Sequence, residues 1–209
     1  MRKTHFERLE SETWDALKTM QDIQIFQLES DKLPLPEGKA RYIAEAHQRV
    51  RQSISLLVMA GSKLKRHQYW LRVYFLRYMN YANNREAAYA DQLKSLGMQI
   101  PKQSEKINLM LSYLHKAISE DNSVAVLSFI YVTEYCMNKM FMSEVKSAVG
   151  FDTDKLGKGI IKANDDMDGE TIEMFPEIVN LLCEDDLQFL IETSRILFKL
   201  FQVTHSITE

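Results

Sequence analysis

The sequence predicts an all-α protein, a single domain of about seven helices over residues 1–209. Only 7 glycines and 4 prolines occur in 209 residues, and Leu, Met, Glu, Lys and Ala are abundant, which favours helices joined by short loops. Apolar residues recur at helical spacing along most of the chain. With 45% hydrophobic and 26% charged residues, the chain can bury one sizeable core and is too even in texture to suggest two domains.

The first half of the chain predicts three helices. The apolar repeat places the first over 5–29, before two prolines, and the second over 38–60, broken by a Gly-Ser pair. The third runs from His67 to about Leu96 and is crowded with aromatic residues. Gly97 closes it, as glycine commonly does at helix ends. We expect this aromatic helix to line much of any pocket.

The second half predicts further helices, and its repeat places them over 104–118, 121–144, 154–168, 170–182 and 184–204. The 121–144 stretch is the most apolar segment of helix length. Pro176 would break its helix unless it lies in the first turn. The last helix is strongly amphipathic.

Charge and composition restrict the function classes. A net charge of −3 and a pI near 6.0 give no electrostatic reason to expect nucleic acid or an anionic membrane as a partner. No segment approaches the roughly 20 apolar residues that cross a bilayer, so a cytoplasmic protein is predicted. Cys136 and Cys183 lie in apolar helical contexts and are predicted to be buried free thiols.

Short motifs for common chemistries are absent. The sequence has no glycine-rich phosphate loop, no Cys-x-x-Cys pair and no His-Glu-x-x-His. The five histidines share no metal-ligand spacing with a carboxylate, and we interpret them as surface residues: His5, His47, His67, His115 and His205. The acidic run from Asp165 to Glu173 is interpreted as a solvated helix start, from which Asp168 could still turn inward.

Glu134 is the one acid inside the apolar 121–144 helix. An ionised carboxylate in such a place needs a metal, a cation or a raised pKa. Glu134 is therefore predicted to be paired or to line a cavity.

Four short strings carry a resemblance to a known fold. They are LESET in the first helix, YADQLKSLG at the end of the aromatic helix, YVTE around Glu134, and NDDMDGET before the closing helix. Their order over nearly the whole chain resembles the haem-oxygenase-like helical superfamily, and within it the iron-containing di-iron oxidases. The resemblance implies an all-α bundle and an iron-dependent redox enzyme or oxygenase.

Most of the implied iron ligands are replaced in this chain. The resemblance places metal-binding carboxylates at Glu134 and Asp168, and two histidines at Asn164 and Thr171. A third-helix Glu and His fall on the residues Tyr78 and Arg85. Glu134, Asp168 and Asn164 remain as candidate iron ligands, which are few for a di-iron centre.

Haem and a cysteine nucleophile are both disfavoured by the same resemblance. The proximal histidine of haem oxygenases falls near Leu17, and their glycine-rich distal helix is replaced by CMNKMF. The cysteine of thiaminase-like relatives falls on Ile130. Iron is possible as a cofactor on this resemblance, whereas haem is not expected.

A pocket without a metal is the alternative at the same place. If Arg85 points inward, it pairs with Glu134 and Asp168 and takes the place of the metal. The pocket-lining residues would then be Tyr74, Tyr78, Tyr81, Arg85 and Thr171. These side chains wall a cavity for an organic ligand, or they simply fill the core.

Three functions stay open at this point. The first is a diverged iron-containing redox enzyme with an altered or lost metal site. The second is a non-catalytic module that binds a small molecule or a protein, and the third is a cofactor-free enzyme using Glu134 as acid or base with a tyrosine. A homodimer is predicted through the Met- and Phe-rich segment Met137–Met142.

Overall fold

The computed structural model describes residues 3–30, 35–95, 97, 105–136 and 168–203. Their helices are α1 (His5–Ser30), α2 (Leu35–Ser62), α3 (Leu71–Ser95), α4 (Glu105–Ser119), α5 (Ala125–Ile130), α6 (Asp168–Glu173), α7 (Phe175–Asn180) and α8 (Glu184–Val203). A 3-10 turn (Arg66–Gln68) precedes α3, and a π-helical segment (Tyr131–Cys136) continues α5. No strand occurs in these residues. The all-α prediction is confirmed.

The predicted helices agree with α1, α2, α4 and α8 to within a few residues. α2 differs most, because it begins at Leu35 and continues through Gly61 to Ser62. The third helix is shorter than predicted, since the 3-10 turn at Arg66–Gln68 takes up its first residues. Gly97 does lie just beyond α3, with the left-handed φ of 69° that favours glycine.

Pro176 divides the predicted 170–182 helix. α6 ends at Glu173, and Pro176 lies in the first turn of α7. A proline is tolerated there because the first N–H groups of a helix have no partner within it. The helix predicted over 154–168 lies outside the described residues, apart from Asp168 at the start of α6.

α5 occupies the centre of the bundle. Every side chain from Ala125 to Ile130 is buried, and the helix packs against α2, α4 and α8. A helix that is apolar all round must be covered all round. Around this centre, α2 packs along α3, and α1 packs along α8.

Side-chain bonds fasten α1 to the end of the chain. The backbone N–H of Phe6 donates to Asn180 Oδ1 at 2.9 Å, and Arg195 Nε donates to the carbonyl oxygen of Glu12 at 2.9 Å. Arg8 forms an ion pair with Glu184. None of the described helices is long and apolar enough to cross a membrane.

Two predictions about single side chains are wrong. Cys183 is exposed, because it lies in the turn before α8, where its carbonyl oxygen accepts from Leu187 N at 2.9 Å. His47 is buried, with 1% of its surface exposed, because α2 is covered by α3, α4 and α5. Cys136 is buried as predicted.

The other histidines are mostly as predicted. His67 and His115 are exposed, and His5 is half-buried. His205 lies outside the described residues.

Candidate functional site

Glu134 lies in the π-helical segment Tyr131–Cys136 and is 5% exposed. A π-helix closes its hydrogen bonds five residues apart, is rare, and occurs frequently at functional sites. The wider turn follows directly on α5, so it places the carboxylate inside the bundle. The predicted interior position of Glu134 agrees with the structure.

Arg85 supplies the counter-ion. Its Nη1 lies 3.2 Å from Glu134 Oε2, and both side chains are buried. The guanidinium also donates to the hydroxyls of Tyr81 and Tyr89, which lie one helical turn before and after it on α3. Its Cζ lies 5.1 Å and 5.3 Å from the centroids of these two rings, within the range of a cation–π contact.

A row of buried tyrosines continues this face of α3. The ring centroids of Tyr74 and Tyr78 are 6.2 Å apart, and those of Tyr78 and Tyr81 are 5.3 Å apart. We call the set the tyrosine–arginine cluster, and it consists of Tyr74, Tyr78, Tyr81, Arg85, Tyr89 and Glu134.

Three buried polar atoms of the cluster have no hydrogen-bond partner among the described residues. They are the hydroxyls of Tyr74 and Tyr78 and the Nε of Arg85. Leaving a buried polar group unpaired costs about 1–3 kcal/mol, so three such atoms on one helix face are unusual. The cluster can therefore accept and donate hydrogen bonds beyond those it already makes.

Burial keeps three tyrosines of the cluster, Tyr74, Tyr78 and Tyr81, protonated by raising the pKa of each. It raises the pKa of Tyr74, and it raises the pKa of Tyr78 well above its usual value, with the Glu134 carboxylate adding to the effect. Burial also raises the pKa of Tyr81, against the opposing influence of Arg85. The pKa of Arg85 is raised although burial opposes its charge, because Tyr89, Glu134 and Tyr81 together outweigh burial. The cluster thus combines neutral phenols with one buried ion pair.

The remaining predicted site residues belong to α6 or precede it. Thr171 is buried on α6, and α6 packs against α3. Asp168 begins α6, but its side chain lies outside the described part of the chain, as does Asn164. The predicted pairing of Asp168 with Arg85 stays a prediction.

The described neighbours of Glu134 do not favour an iron centre, and the predicted ligands Asp168 and Asn164 stay untested. Its Oε2 is paired with a guanidinium, and a cation cannot share that space without strong repulsion. Its other described neighbours are protonated tyrosines, which suit iron poorly compared with carboxylate and imidazole. Within the described residues, the three-ligand group that geometry brings together lies elsewhere, at His67, Cys183 and Asp186.

Tyr89 is the cluster member that sequence reasoning did not assign to the pocket. The signal was present, because Tyr81 and Tyr89 flank Arg85 at four-residue spacing in a helix.

Comparison with known proteins bears on the fold. No protein-family model matches the sequence, and no curated protein matches it significantly. The crystal structure of a TenA homologue from Pyrococcus furiosus superimposes with a TM-score of 0.70, over 98% of this chain and 100% of that one. The chain has the haem-oxygenase-like fold. At 12% identity the likeness extends to the fold alone, so the relation to di-iron oxidases stays a prediction.

Proposed function

We propose that this protein binds a small organic molecule at the tyrosine–arginine cluster. The observation that carries the proposal is a group of three buried atoms of the cluster that have no hydrogen-bond partner among the described residues, namely the hydroxyls of Tyr74 and Tyr78 and the Nε of Arg85. A site evolved only for packing would replace such hydroxyls with phenylalanine, because an apolar group of the same shape removes the cost. Retained polar groups in an apolar setting are typical of ligand sites.

The chemistry of the cluster suits a planar ligand with hydrogen-bonding groups. The buried rings of Tyr74, Tyr78 and Tyr81 contact one another, and a flat molecule that entered the cluster would pack favourably against them. The hydroxyls can donate or accept, and Arg85 Nε donates. An anionic group on the ligand would gain from Arg85, while the paired carboxylate of Glu134 limits that gain.

An acid–base enzyme without a cofactor is the second candidate, and one observation favours it. Arg85 Nη1 donates both to Glu134 Oε2 and to the hydroxyl of Tyr81, so a proton acceptor and a phenol face one interior region. General acid–base catalysis needs such a pair within reach of a substrate. In this reaction Glu134 would accept a proton and Tyr81 would donate one.

The iron-dependent redox enzyme is the less favoured reading. It requires a metal at Glu134, where Arg85 already provides the positive charge. Metal analysis of protein made in iron-supplemented medium tests it directly. Iron bound in stoichiometric amount and lost in Glu134→Gln would support an altered metal site and contradict our proposal for this cluster.

A thermal-shift screen tests the binding proposal. Wild-type protein is heated with a panel of planar aromatic heterocycles and aromatic acids at millimolar concentration, and the same panel is applied to Tyr78→Phe. We expect compounds that raise the melting temperature of the wild type by mass action and lose most of that shift in Tyr78→Phe. Tyr69→Phe is the matched control, since Tyr69 is 51% exposed.

The variant itself carries a second readout. Tyr78→Phe removes an unpartnered hydroxyl, so we expect the ligand-free variant to be as stable as the wild type or more so. A panel in which every shift survives Tyr78→Phe would remove the support for a site at the cluster.

We also propose that the protein is a cytoplasmic homodimer. The segment Met137–Met142, on which the dimer prediction rests, lies outside the described residues. Sedimentation at high concentration checks it, and a single species of 24.4 kDa would contradict the dimer.

A further inference from the structure

Three side chains that can bind a metal meet at the surface, away from the tyrosine–arginine cluster. They are His67 in the 3-10 turn, Cys183 in the turn before α8, and Asp186 in the first turn of α8. One donor atom from each lies within 4.8 Å of the others, and His67 Nε2 is 3.4 Å from Asp186 Oδ2. We call these three residues the surface triad.

The carboxylate of the triad is held in place by Gln68. This glutamine is 2% exposed, and its Nε2 donates to both oxygens of Asp186, at 2.9 Å and 3.0 Å. Its Oε1 accepts from Ser123 Oγ at 2.8 Å and from Lys65 N at 3.0 Å. Gln68 is thus fixed at both ends of its amide, which orients the carboxylate toward His67.

We propose that the surface triad binds one Zn²⁺ ion. Thiolate, imidazole and carboxylate are the ligands that zinc takes in proteins, and three protein ligands leave a fourth position for water. Zinc bonds of about 2.0–2.3 Å place tetrahedral ligand atoms roughly 3.3–3.8 Å apart, and the 3.4 Å between His67 and Asp186 meets that requirement. Binding releases the thiol proton of Cys183 to solvent.

The freedom of the other two ligands makes the remaining adjustment small. The side chain of His67 is 55% exposed, whereas that of Asp186 is 14% exposed, and Cys183 is exposed. His67 and Cys183 can change rotamer in solvent without disturbing the core. Each oxygen of Asp186 has two lone pairs, so it can hold Gln68 and a metal together.

The ligand types select the metal. A thiolate disfavours Mg²⁺ and Ca²⁺, which take oxygen ligands, and the mixed sulfur and nitrogen set suits zinc. Co²⁺ adopts the same tetrahedral geometry and reports thiolate ligation through charge-transfer absorption, so it serves as the probe.

The experiment titrates tag-free, full-length protein with Co²⁺ and then with Zn²⁺. We expect one equivalent of Co²⁺ to give thiolate charge-transfer absorption, and Zn²⁺ to abolish it. Cys183→Ser should lose the band, while Cys136→Ala should keep it because that thiol is buried elsewhere. His67→Ala should weaken binding at least tenfold, and the exposed His115→Ala should not.

Gln68→Ala tests how the site is built. Groups that orient metal ligands typically contribute 10–100-fold to affinity, so we expect a loss in that range with an unchanged circular dichroism spectrum. No saturable band in the wild type, or a band that survives Cys183→Ser, would overturn the proposal.

Discussion

Arg85 is a buried cation in the core. Its guanidinium is buried and forms hydrogen bonds with Glu134, Tyr81 and Tyr89. A buried ion pair is weak support for stability as such, but removing one partner leaves an uncompensated charge inside the protein. Substituting only one partner of the pair is therefore expected to destabilise the core.

We predict that Glu134→Gln and Arg85→Met each lower the free energy of unfolding by about 3–5 kcal/mol. The double variant should recover part of the loss, because no unpaired charge remains. Urea denaturation of the wild type and the three variants measures the coupling. The double variant also leaves the hydroxyls of Tyr81 and Tyr89 without Arg85, so recovery should be incomplete.

Lys63→Met is the matched control for the loss of a cation. Lys63 pairs with Asp121 at 3.1 Å, with 42% and 68% of these side chains exposed, and exposed pairs contribute about 0–1 kcal/mol. An effect of Arg85→Met no larger than that of Lys63→Met would contradict the interior ion pair.

His47 predicts a pH dependence of stability. Burial lowers its pKa in the folded state, an effect that Glu86 opposes and Arg51 reinforces. The unfolded chain therefore binds a proton more readily than the folded protein does. The stability that neutral His47 contributes is then fully present above the unfolded pKa of about 6.5. It is lost as the pH drops below that value.

The measurement compares urea midpoints of the wild type and His47→Gln from pH 8 to pH 5. We expect the wild type to lose stability relative to His47→Gln as the pH falls through 6.5, while His115→Gln follows the wild type. A wild-type advantage that stays constant with pH would refute the assigned cause.

The sequence identified Glu134 because an acid inside an apolar helix is a local anomaly, whereas Arg85 was identified because the resemblance placed a metal-ligand position on it. The surface triad had no such signal. Gln68, which holds the triad's carboxylate in place, is separated from Asp186 by 118 positions in the chain. The sequence pattern near one of these residues gives no indication of the other. His47 was mistaken for a surface residue because its neighbours in sequence are polar, while α3, α4 and α5 cover it in space.

At the level of the helices, periodicity predicted most bounds and failed in one informative place. A helix with one buried face has a clear apolar phase, which is why α4 and α8 were predicted well. α5 is buried on all sides, so its apolar residues do not mark a single buried face. The change to π-helical hydrogen bonding at Tyr131–Cys136 was therefore not visible in the sequence.

Substituting alanine at Gly97 and at Gly61 should change stability in opposite directions. Gly97 has a φ of 69°, and an added Cβ would meet no described atom within 4 Å, so Gly97→Ala should cost about 1 kcal/mol from backbone strain. Gly61 lies inside α2, and an added Cβ would meet Phe75 at an ordinary 3.9 Å. Gly61→Ala should therefore stabilise the protein by about 0.5–1 kcal/mol.

Urea denaturation of both variants measures these effects. Each serves as the control for the other, because the same methyl group is added in both. Equal changes of the same sign would show that backbone conformation does not decide the outcome.

At the scale of the whole molecule, the first helix, α1, packs against the last described helix, α8. The central helix α5 contacts helices from both halves. Periodicity cannot give this pairing, because it finds a buried face without saying what covers it. The order of short strings predicted an all-α bundle without naming its helix pairs, and the structural likeness confirms the fold.

Because helices from both halves of the chain pack together, we predict that the chain unfolds as one cooperative domain. Thr13 on α1 is fully buried, and its hydroxyl lies 2.9 Å from that of Tyr131 in the π-helical segment. Thr13→Val removes the hydrogen bond between these two buried hydroxyls and should cost about 1 kcal/mol. In a single cooperative domain, every spectroscopic probe of unfolding reports the same loss of stability.

Trp70 provides the distant probe. The chain has 2 tryptophans, so Trp70 is the one that remains in a Trp14→Phe background. It packs against the core just before α3, far along the chain from Thr13. We expect Thr13→Val to shift the urea midpoint of Trp70 fluorescence and of far-ultraviolet circular dichroism by the same amount. Because α5 joins α2 and α4 to α8, α1 cannot separate from the rest without exposing the shared core. If the Trp70 transition stayed in place while the dichroism became biphasic, the two halves would be independent units.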